Sequence, residues 1–438
     1  MADDQGWGDV GYNGHKQLKT PNLDEMAQNG AIFSRFYSAG SVCSPTRASV
    51  MTGRHPSRMG ICSANCGHIK DQEITLAEMV KEKGYRTGHF GKWHLGTLTQ
   101  DILDANRGGK NENIIHYAPP WEHGFDVSFS TESKVPTWNP MVTPPRSAED
   151  VKASLIEGES FGTFYWTGPG QRVTENLEGD DSSIIMDRVI PFIEESVLQK
   201  QPFLSIVWFH APHLPVLTGE KFKNLYSNLS EDQQQYYGVI SALDKQVGRL
   251  RNKLKDLGIA DNTLVFYTSD NGPEGSSPLG RTQGLTNGLK GRKRSLYEGG
   301  IRVPGIIEWP SKINPGTLVK VPCFTSDYFP TIAHILGIDI EKYKRPYDGE
   351  NLLPYWMGKS DKRSKPLAFQ FNKQFALIDN DYKLYGKVQK PLQLYNLKYD
   401  GGELTDLSIA EPEKLKVLQI LYQQWDLTIQ KSKAGIDY

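Results

Sequence analysis

The 438-residue sequence has few cysteines, almost no net charge and no long apolar run. Its 50 lysines and arginines nearly balance 51 aspartates and glutamates, which argues against the broad basic surface of a nucleic-acid-binding protein. No apolar segment approaches the roughly 20 residues of a membrane-spanning helix. Four cysteines are too few for a disulfide scaffold in a chain of this length. The length itself predicts one large domain and a smaller one.

Two of the cysteines lie close together. Cys62 and Cys66 flank a Ser-Ala-Asn segment. The spacing is compatible with a disulfide, with a shared metal ion and with two unpaired thiols, and the sequence leaves all three open.

Helix-like and strand-like segments alternate along most of the chain. Apolar spacing predicts helices after Thr20, after Thr75 and from Ser230 to Gly258. Near-continuous apolar runs at 203–209 and 263–269 predict strands that are covered on both faces. This alternation predicts an α/β fold whose large, mainly parallel but mixed sheet is flanked by helices.

The pattern changes at two places. Residues 100–180 are rich in Pro, Gly and Asn, and we expect long surface loops there. After about residue 345, short strand-like segments follow one another between 368 and 397, and apolar residues between 415 and 429 follow helical spacing. We therefore predict a domain over 1–345 and a C-terminal subdomain over 346–438, a small antiparallel sheet with a helix.

The most specific motif runs from Cys43 to Arg54, with the pattern C-x-P-T-R-x-x-x-M-T-G-R. Pro45 suits the first turn of a helix, so Cys43 is predicted at a helix N-terminus, where the dipole favours an anion. Arg47, one turn further, would steady a nucleophile at Cys43 or the ligands of a metal. A lone buried cysteine is ordinarily inert, but the complete string favours a functional one.

This string resembles that of the type I sulfatases, in the alkaline-phosphatase-like superfamily, whose cysteine is oxidised to formylglycine. The resemblance covers nearly the whole chain and implies calcium-dependent hydrolysis of sulfate monoesters after a maturase has converted Cys43. The hydrated aldehyde offers one hydroxyl as nucleophile and a second that expels sulfate. Thr131-Glu132-Ser133 and Trp138-Asn139-Pro140 loosely resemble segments of bacterial polysaccharide sulfatases, so a sulfated carbohydrate is the expected substrate.

Acidic and amide side chains form a second group of candidates. Asp270-Asn271 directly follows the predicted strand 263–269, at the edge where open α/β sheets bind ligands. Carboxylate and amide oxygens suit Ca²⁺ or Mg²⁺ rather than zinc, and the resemblance selects calcium. It also makes Asp270 the expected base toward the attacking hydroxyl. The metal ligands implied are Asp3, Asp4, Cys43, Asp270 and Asn271.

Lys92 and His94 follow another predicted strand, over residues 85–90. Standing two residues apart, they would point the same way in an extended segment. A cation beside an imidazole can hold an anion and handle a proton. The resemblance gives Lys92 contacts to sulfate and nucleophile, and gives His94 the removal of the second hydroxyl's proton.

The resemblance places His213 and Lys293 at the ester oxygen, where they would help to protonate the leaving group. The family usually has glycine on both sides of this lysine, whereas Arg292 and Arg294 flank Lys293. Lys290 and Arg294 therefore stay open as alternatives to Lys293.

The family carries an apolar strand immediately before the Asp-Asp pair, whereas this chain begins Met-Ala-Asp-Asp. We therefore expect the chain as given to lack the first strand of its sheet. A periplasmic or secreted location is expected from the family.

Two other functions stay open. A phosphonate or phosphate ester hydrolase of the same superfamily would use the same nucleophile, but such relatives tend to carry His where Asn271 stands. A catalytically inactive binding protein would result if Cys43 were not converted or if the missing strand disabled the site.

Overall fold

The computed structural model describes residues 1–149 and 151–438. The α-helices are α1 (Pro21–Asn29), α2 (Cys43–Thr52), α3 (Leu76–Lys81), α4 (Asp181–Leu198), α5 (Glu220–Lys223), α6 (Glu231–Asp256), α7 (Glu298–Ile301), α8 (Tyr328–Ile335), α9 (Leu353–Trp356) and α10 (Pro412–Lys433). The strands are β1 (Ala31–Phe33), β2 (Phe36–Tyr37), β3 (Arg86–Lys92), β4 (Val127–Thr131), β5 (Trp166–Gly168), β6 (Gln171–Arg172), β7 (Phe203–Trp208), β8 (Val265–Thr268), β9 (Arg302–Val303), β10 (Gly305–Glu308), β11 (Thr317–Val319), β12 (Cys323–Phe324), β13 (Leu367–Phe371), β14 (Gln374–Asp379), β15 (Tyr382–Lys387) and β16 (Gln393–Asn396).

The predicted α/β class with mixed sheets and flanking helices is confirmed. One sheet has the order β6-β5-β4-β3-β7, in which β4, β3 and β7 are parallel. A second sheet has the order β11-β1-β10-β8, in which β10 is antiparallel to both of its neighbours. β4, β5 and β6 lie within 100–180, where the sequence predicted only loops, because strands of five, three and two residues are too short to show a periodic pattern.

Local signals set the starts of the helices that support the sheets. The Thr75 hydroxyl accepts the backbone N–H of Glu78 at 3.1 Å, and the Glu78 carboxylate accepts the N–H of Thr75 at 2.7 Å. Ser230 and Gln233 form the same reciprocal arrangement at the start of α6. Such capping boxes satisfy two backbone donors that a helix N-terminus would otherwise leave unpaired. Among the described residues, no helix is both long and apolar enough to cross a membrane.

The C-terminal part is a small antiparallel sheet, as predicted. β13, β14, β15 and β16 pair in chain order, each antiparallel to the next. α10 covers one face of this sheet, where Leu418 packs with Leu384 and Leu394. The boundary between residues 345 and 346 stays a prediction.

A gap separates β7, at the edge of one sheet, from β8, at the edge of another. The first residues of the chain occupy one end of this gap. The N–H of Phe209 donates to the Met1 carbonyl at 3.0 Å, and the N–H of Ala2 donates to the Thr268 carbonyl at 2.8 Å. Ala2 forms a parallel bridge with Ser269. Behind these contacts lies a cavity of about 820 Å³ between β7 and β8, lined largely by apolar side chains. Both strands are consequently only half-buried over much of their length, not covered on both faces as expected.

We expect a strand added ahead of Met1 to fill this cavity and stabilise the protein. A six-residue apolar extension would match the six residues of β7. It would pair backbone groups on two strand edges. It would also replace a buried amino group, whose pKa is lowered to about 5 by burial and by the Arg47 charge. Tm should rise by about 5 °C or more. A Gly-Ser extension of equal length is the control, and equal Tm for both extensions would contradict this expectation.

Candidate active site

The motif cysteine lies at the first position of α2, with Val42 as the N-cap. Cys43 is 2% exposed, and its Sγ lies 3.5 Å from Nζ of Lys92 and 3.5 Å from Oδ1 of Asp3. Burial and the carboxylates of Asp270 and Asp3 hold the pKa of the Cys43 thiol above its usual range. A thiol that stays protonated is a poor nucleophile, so the unmodified side chain is not suited to attack.

Asp3-Asp4 and Asp270-Asn271 meet in the fold although they are more than 260 residues apart in the sequence. Asp3 follows the Ala2–Ser269 bridge, and its N–H donates to the carbonyl of Ala211 at 3.0 Å. The N–H of Asp4 donates to Oδ1 of Asp270 at 3.1 Å. Asp4 has φ +67°, a left-handed conformation that a non-glycine residue adopts only at a cost. The chain therefore turns at Asp4 so that both pairs share one buried position.

Three buried cations neutralise these carboxylates. Oδ2 of Asp3 lies 2.5 Å from Nζ of Lys92. A guanidinium nitrogen of Arg47 lies 2.8 Å from Oδ2 of Asp270 and 3.4 Å from Asp3. Nζ of Lys293 lies 2.7 Å from Oδ2 of Asp4. Because buried charges are costly unless they are paired, this cluster persists only as a balanced set.

Burial and local charges shift the pKa values of Asp270 and Asp4 in opposite directions. Burial, followed by the Asp3 carboxylate, raises the pKa of Asp270 to about 6 against the opposing charge of Arg47. Burial would also raise the pKa of Asp4, but Lys293 and His213 outweigh it and hold that pKa well below its usual range. Asp4 is thus a permanent anion, whereas Asp270 titrates near neutrality.

The donor atoms at this position could hold a cation. Asp3, Asp4, Cys43 and His213 each offer a ligand atom, and these atoms lie within 4.8 Å of one another. Within the described part of the chain, the buried Oδ1 of Asn271 has no hydrogen-bond partner, while its Nδ2 donates to Oδ1 of Asp4 at 2.7 Å. A buried oxygen without a donor is costly, and a cation would satisfy it.

Asp270, a predicted metal ligand, already has a partner for each of its oxygens. Oδ1 of Asp270 accepts the N–H of Asp4, and its Oδ2 faces Arg47. His213, which the resemblance assigned to the leaving group, brings Nε2 to 3.6 Å from Oδ2 of Asp4. Its Nδ1 lies 2.6 Å from the carbonyl of Leu214, which can only accept, so Nδ1 carries a proton. Nε2 of the neutral ring then holds the lone pair.

Of the three basic residues that the sequence left as alternatives, Lys290, Lys293 and Arg294, one reaches the charged cluster. Nζ of Lys293 contacts Asp4 and lies 3.2 Å from Glu274. Lys290 lies over the ring of Tyr297, with its Nζ 4.2 Å from the ring centroid. The side chain of Arg294 is 57% exposed and pairs with Glu274. Lys293 alone of the three contacts the carboxylates beside Cys43.

The C-terminal sheet supports the segment that carries Lys293. Nζ of Lys383, on β15, lies 2.9 Å from Glu298 and 2.8 Å from Glu403, and all three side chains are fully buried. The side-chain amide of Gln374, on β14, donates to the carbonyl of Arg294 at 2.9 Å. This sheet therefore fixes the loop that carries the lysine.

Lys92 and His94 do not share the extended segment that the sequence predicted. Lys92 is the last residue of β3, and His94 has φ +56°. The Lys92 side chain enters the charged cluster, whereas Nε2 of His94 lies 2.8 Å from Oδ1 of Asn65. His94 is 5% exposed, and burial followed by the charges of Lys92 and Arg47 holds its pKa well below its usual range.

Sequence reasoning missed Asn65 and Glu274. Asn65 belongs to the loop between Cys62 and Cys66, which form a disulfide, one of the alternatives that the sequence left open. An asparagine between two paired cysteines is a weak signal that gains meaning only when the loop is seen against His94. Glu274, three residues after Asn271, gave no signal because its partners lie elsewhere in the sequence.

Comparisons with known proteins agree on one family. The sulfatase family model matches residues 1–338. The chain is 33% identical to N-acetylgalactosamine-6-sulfatase of Canis lupus familiaris, over 96% of this chain and 83% of the relative. It is 29% identical to human steryl-sulfatase, over 85% and 71%. The solved structure of Ps i-CgsB in complex with k-i-k-neocarrahexaose has a TM-score of 0.83 and 27% identity, over 100% of this chain and 95% of that one. The chain therefore belongs to the sulfatase family, and it is a sulfuric ester hydrolase.

Proposed function

We propose that this enzyme hydrolyses sulfate monoesters of a carbohydrate with a formylglycine made from Cys43 by a maturase. Sγ of Cys43 lies at a helix N-terminus beside the paired Asp3 carboxylate and Lys92 ammonium, and this position supports the proposal. An oxygen nucleophile at this position would lie beside an anion that orients it and a cation that stabilises its charge. The unmodified thiol, held protonated, would not serve.

We propose calcium as the metal, held by oxygens of Asp3, Asp4, Asp270 and Asn271 beside residue 43. A bound calcium ion would supply positive charge that stabilises the sulfuryl oxygens in the transition state. The three carboxylates and the unpartnered Asn271 oxygen support this choice because calcium prefers oxygen ligands. The site also holds three cations of its own, Arg47, Lys92 and Lys293, each paired with one of these carboxylates.

The remaining side chains divide between the two ends of the scissile bond. Lys92 contacts the nucleophile position and would bind a sulfuryl oxygen, while Arg47 holds Asp270 so that its Oδ2 can take the proton of the attacking hydroxyl. His213 and Lys293 both face Asp4, on the side that we assign to the ester oxygen. The Lys293 ammonium would supply a proton for the leaving group there, whereas His213 would do so only after its free Nε2 has taken one up. His94 would accept the proton that sulfate release sets free.

A carbohydrate substrate and an exported location complete the proposal. Ps i-CgsB binds a neocarrahexaose, and another relative is named for N-acetylgalactosamine 6-sulfate, which supports a sulfated sugar here. The disulfide between Cys62 and Cys66 supports a periplasmic or secreted location, because such bonds persist in oxidising compartments.

A second candidate is hydrolysis of phosphonate or phosphate esters by the same machinery. Asn271 argues against it, because a neutral amide with Nδ2 bonded to Asp4 replaces the histidine of those relatives. We expect kcat/KM for an aryl sulfate to exceed that for the matching aryl phosphate and phosphonate by about 10²-fold or more, a difference of roughly 3 kcal/mol in transition-state binding. Parallel assays on one preparation measure it, and a preference for the phosphonate would establish the second candidate instead.

A further inference from the structure

A chain of hydrogen-bonded side chains reaches His94 from the carboxyl end of β4. Glu132, directly after β4, is fully buried, and its Oε1 accepts the N–H of Arg107 at 3.1 Å and Nδ2 of Asn106 at 2.9 Å. Nδ2 of Asn106 also donates to Oδ1 of Asn65 at 2.8 Å. The same Oδ1 lies 2.8 Å from Nε2 of His94. A carboxylate outside the charged cluster is thus connected to His94.

The ionised form of Glu132 fixes the direction of every bond in this chain, and burial together with the Asp104 charge raises the pKa of this carboxyl to about 7. Both oxygens of Glu132 accept backbone N–H groups, Oε1 from Arg107 and Oε2 from Gly108 at 2.8 Å. The amide atom of Asn106 that faces Oε1 is therefore its nitrogen, and the atom of Asn65 that meets this nitrogen is its oxygen. Since the same oxygen meets Nε2 of His94, Nε2 carries a proton, and the lone pair of the neutral ring lies on Nδ1.

The other nitrogen of His94 is ready to accept a proton. Nδ1 is buried and has no hydrogen-bond partner among residues 1–149 and 151–438. Because His94 is almost fully buried, the lone pair on Nδ1 is shielded from bulk water. The neutral ring therefore keeps a free acceptor on Nδ1 for a donor brought against it, although the low pKa of His94 makes it a weak base until the neighbouring charges change.

Two loops hold Asn65 against the ring. The disulfide between Cys62 and Cys66 closes the loop in which Asn65 has φ +60°, a conformation that asparagine tolerates better than most residues. A guanidinium nitrogen of Arg107 donates to the carbonyls of Asn65 at 3.2 Å and Gly67 at 2.9 Å. The disulfide loop is therefore tied to the segment that Glu132 anchors.

We propose that Asn65, oriented by Glu132 through Asn106, is a positioning residue that holds His94 as the Nε2–H tautomer. Nδ1 is then the atom that accepts a proton from the hydroxyl at position 43 during sulfate release. The catalytic part of this inference rests on the proposed role of His94, whereas the tautomer itself does not. In this arrangement, Glu132 in the Thr131-Glu132-Ser133 segment and the disulfide loop hold Asn65 against His94.

Two substitutions of similar size compare the presence and the loss of the bond. Asn65→Leu removes the acceptor, whereas Asn65→Asp keeps an oxygen for both donors, and Ser63→Ala is the control in the same loop. For an aryl sulfate, we expect Asn65→Leu to lower kcat about 10- to 100-fold with little change in KM, because it loses part of the roughly 10²- to 10⁴-fold contribution of a general base. Asn65→Gly also lacks the acceptor but adopts the positive φ of this position freely, so it should lower kcat as Asn65→Leu does if the bond, and not backbone strain, is the cause. Asn65→Asp should stay within about fivefold of the unaltered enzyme, and Ser63→Ala should equal it. Equal kcat for Asn65→Leu and Asn65→Asp would overturn the inference.

The tautomer itself can be read without turnover. ¹⁵N NMR of histidine-labelled protein with unconverted Cys43, assigned with His94→Gln, should show the proton on Nε2 in the unaltered chain and in Asn65→Asp. Asn65→Leu should show a mixture of tautomers. A proton on Nδ1 in the unaltered chain, or an unchanged signal in Asn65→Leu, would overturn the inference. Full activity of His94→Gln would instead refute the proposed role of His94 and leave the tautomer result standing.

Discussion

Replacing Cys43 with alanine is expected to abolish sulfate ester hydrolysis and to leave the fold intact. The side chain lies at the centre of the charged cluster, so without it no nucleophile remains between Asp3 and Lys92. Loss of a nucleophile should lower kcat by about 10⁴-fold or more. Stability should change by only about 1 kcal/mol, because the thiol is small and its contacts with the two charged groups are long. Initial rates on an aryl sulfate and a thermal melt measure both effects.

Cys323 provides the matched control. It is the other free cysteine of the described residues, and like Cys43 it is buried. Its Sγ lies 3.4 Å from the backbone carbonyl of Val321, and the residue packs in the apolar core, away from the charged cluster. Cys323→Ala should therefore lose some stability and no activity. A Cys43→Ala enzyme within about tenfold of the unaltered rate would contradict the assigned nucleophile.

Replacing Asp270 with asparagine should remove both the response to calcium and most of the activity. The substitution keeps the shape of the side chain but removes a charge beside Asp3 and Asp4. We expect kcat/KM to fall by about 10²-fold or more, since a bound metal contributes several kcal/mol of transition-state stabilisation. Added calcium should restore neither activity nor Tm, and chelation of the unaltered enzyme should have a similar effect on activity.

Asp327 is the control for the loss of a buried acid. It is as buried as Asp270 and is paired with Arg363 at 2.6 Å, outside the cluster around Cys43. Breaking either pair should cost about 3–5 kcal/mol of stability. Asp327→Asn should nevertheless keep the calcium-dependent rise in Tm. An Asp270→Asn enzyme with an unchanged calcium response would show that the metal is bound elsewhere.

The calcium response should also depend on pH. Burial and the neighbouring Asp3 carboxylate raise the pKa of Asp270 to about 6 in the metal-free protein, above its value in an unfolded chain. The folded state therefore favours protonated Asp270, so this group contributes stability at low pH that is lost as the pH rises through about 6. Calcium requires the ionised form and must displace that proton below pH 6. The rise in Tm with calcium should be larger at pH 7 than at pH 5.

Local patterns predicted the elements that carry the site better than they predicted its contacts. The helix at Cys43 and the strand before Asp270 follow from short sequence signals, because proline and apolar runs act locally. The approach of Asn65 to His94 could not be predicted, because it depends on a disulfide that the sequence left open and on Glu132, which is distant in the chain. The turn at His94 was likewise hidden, since a positive φ outside glycine leaves no periodic signal.

The separation of the strands into two sheets was equally hidden. Apolar runs at 203–209 and 263–269 read as covered strands, but coverage depends on which strand lies between them. Only the structure shows that residues 1–3 bridge β7 and β8 at one end and that a cavity follows.

Hydrolysis should depend on an aldehyde at position 43, made from Cys43. Mass spectrometry of the peptide that contains Cys43 tests this dependence most directly, on samples produced with increasing amounts of maturase and assayed in parallel. We expect a peptide whose mass reflects replacement of CH₂SH by CHO, and an activity proportional to the fraction of that peptide. Full activity in a sample that contains only the thiol peptide would contradict it.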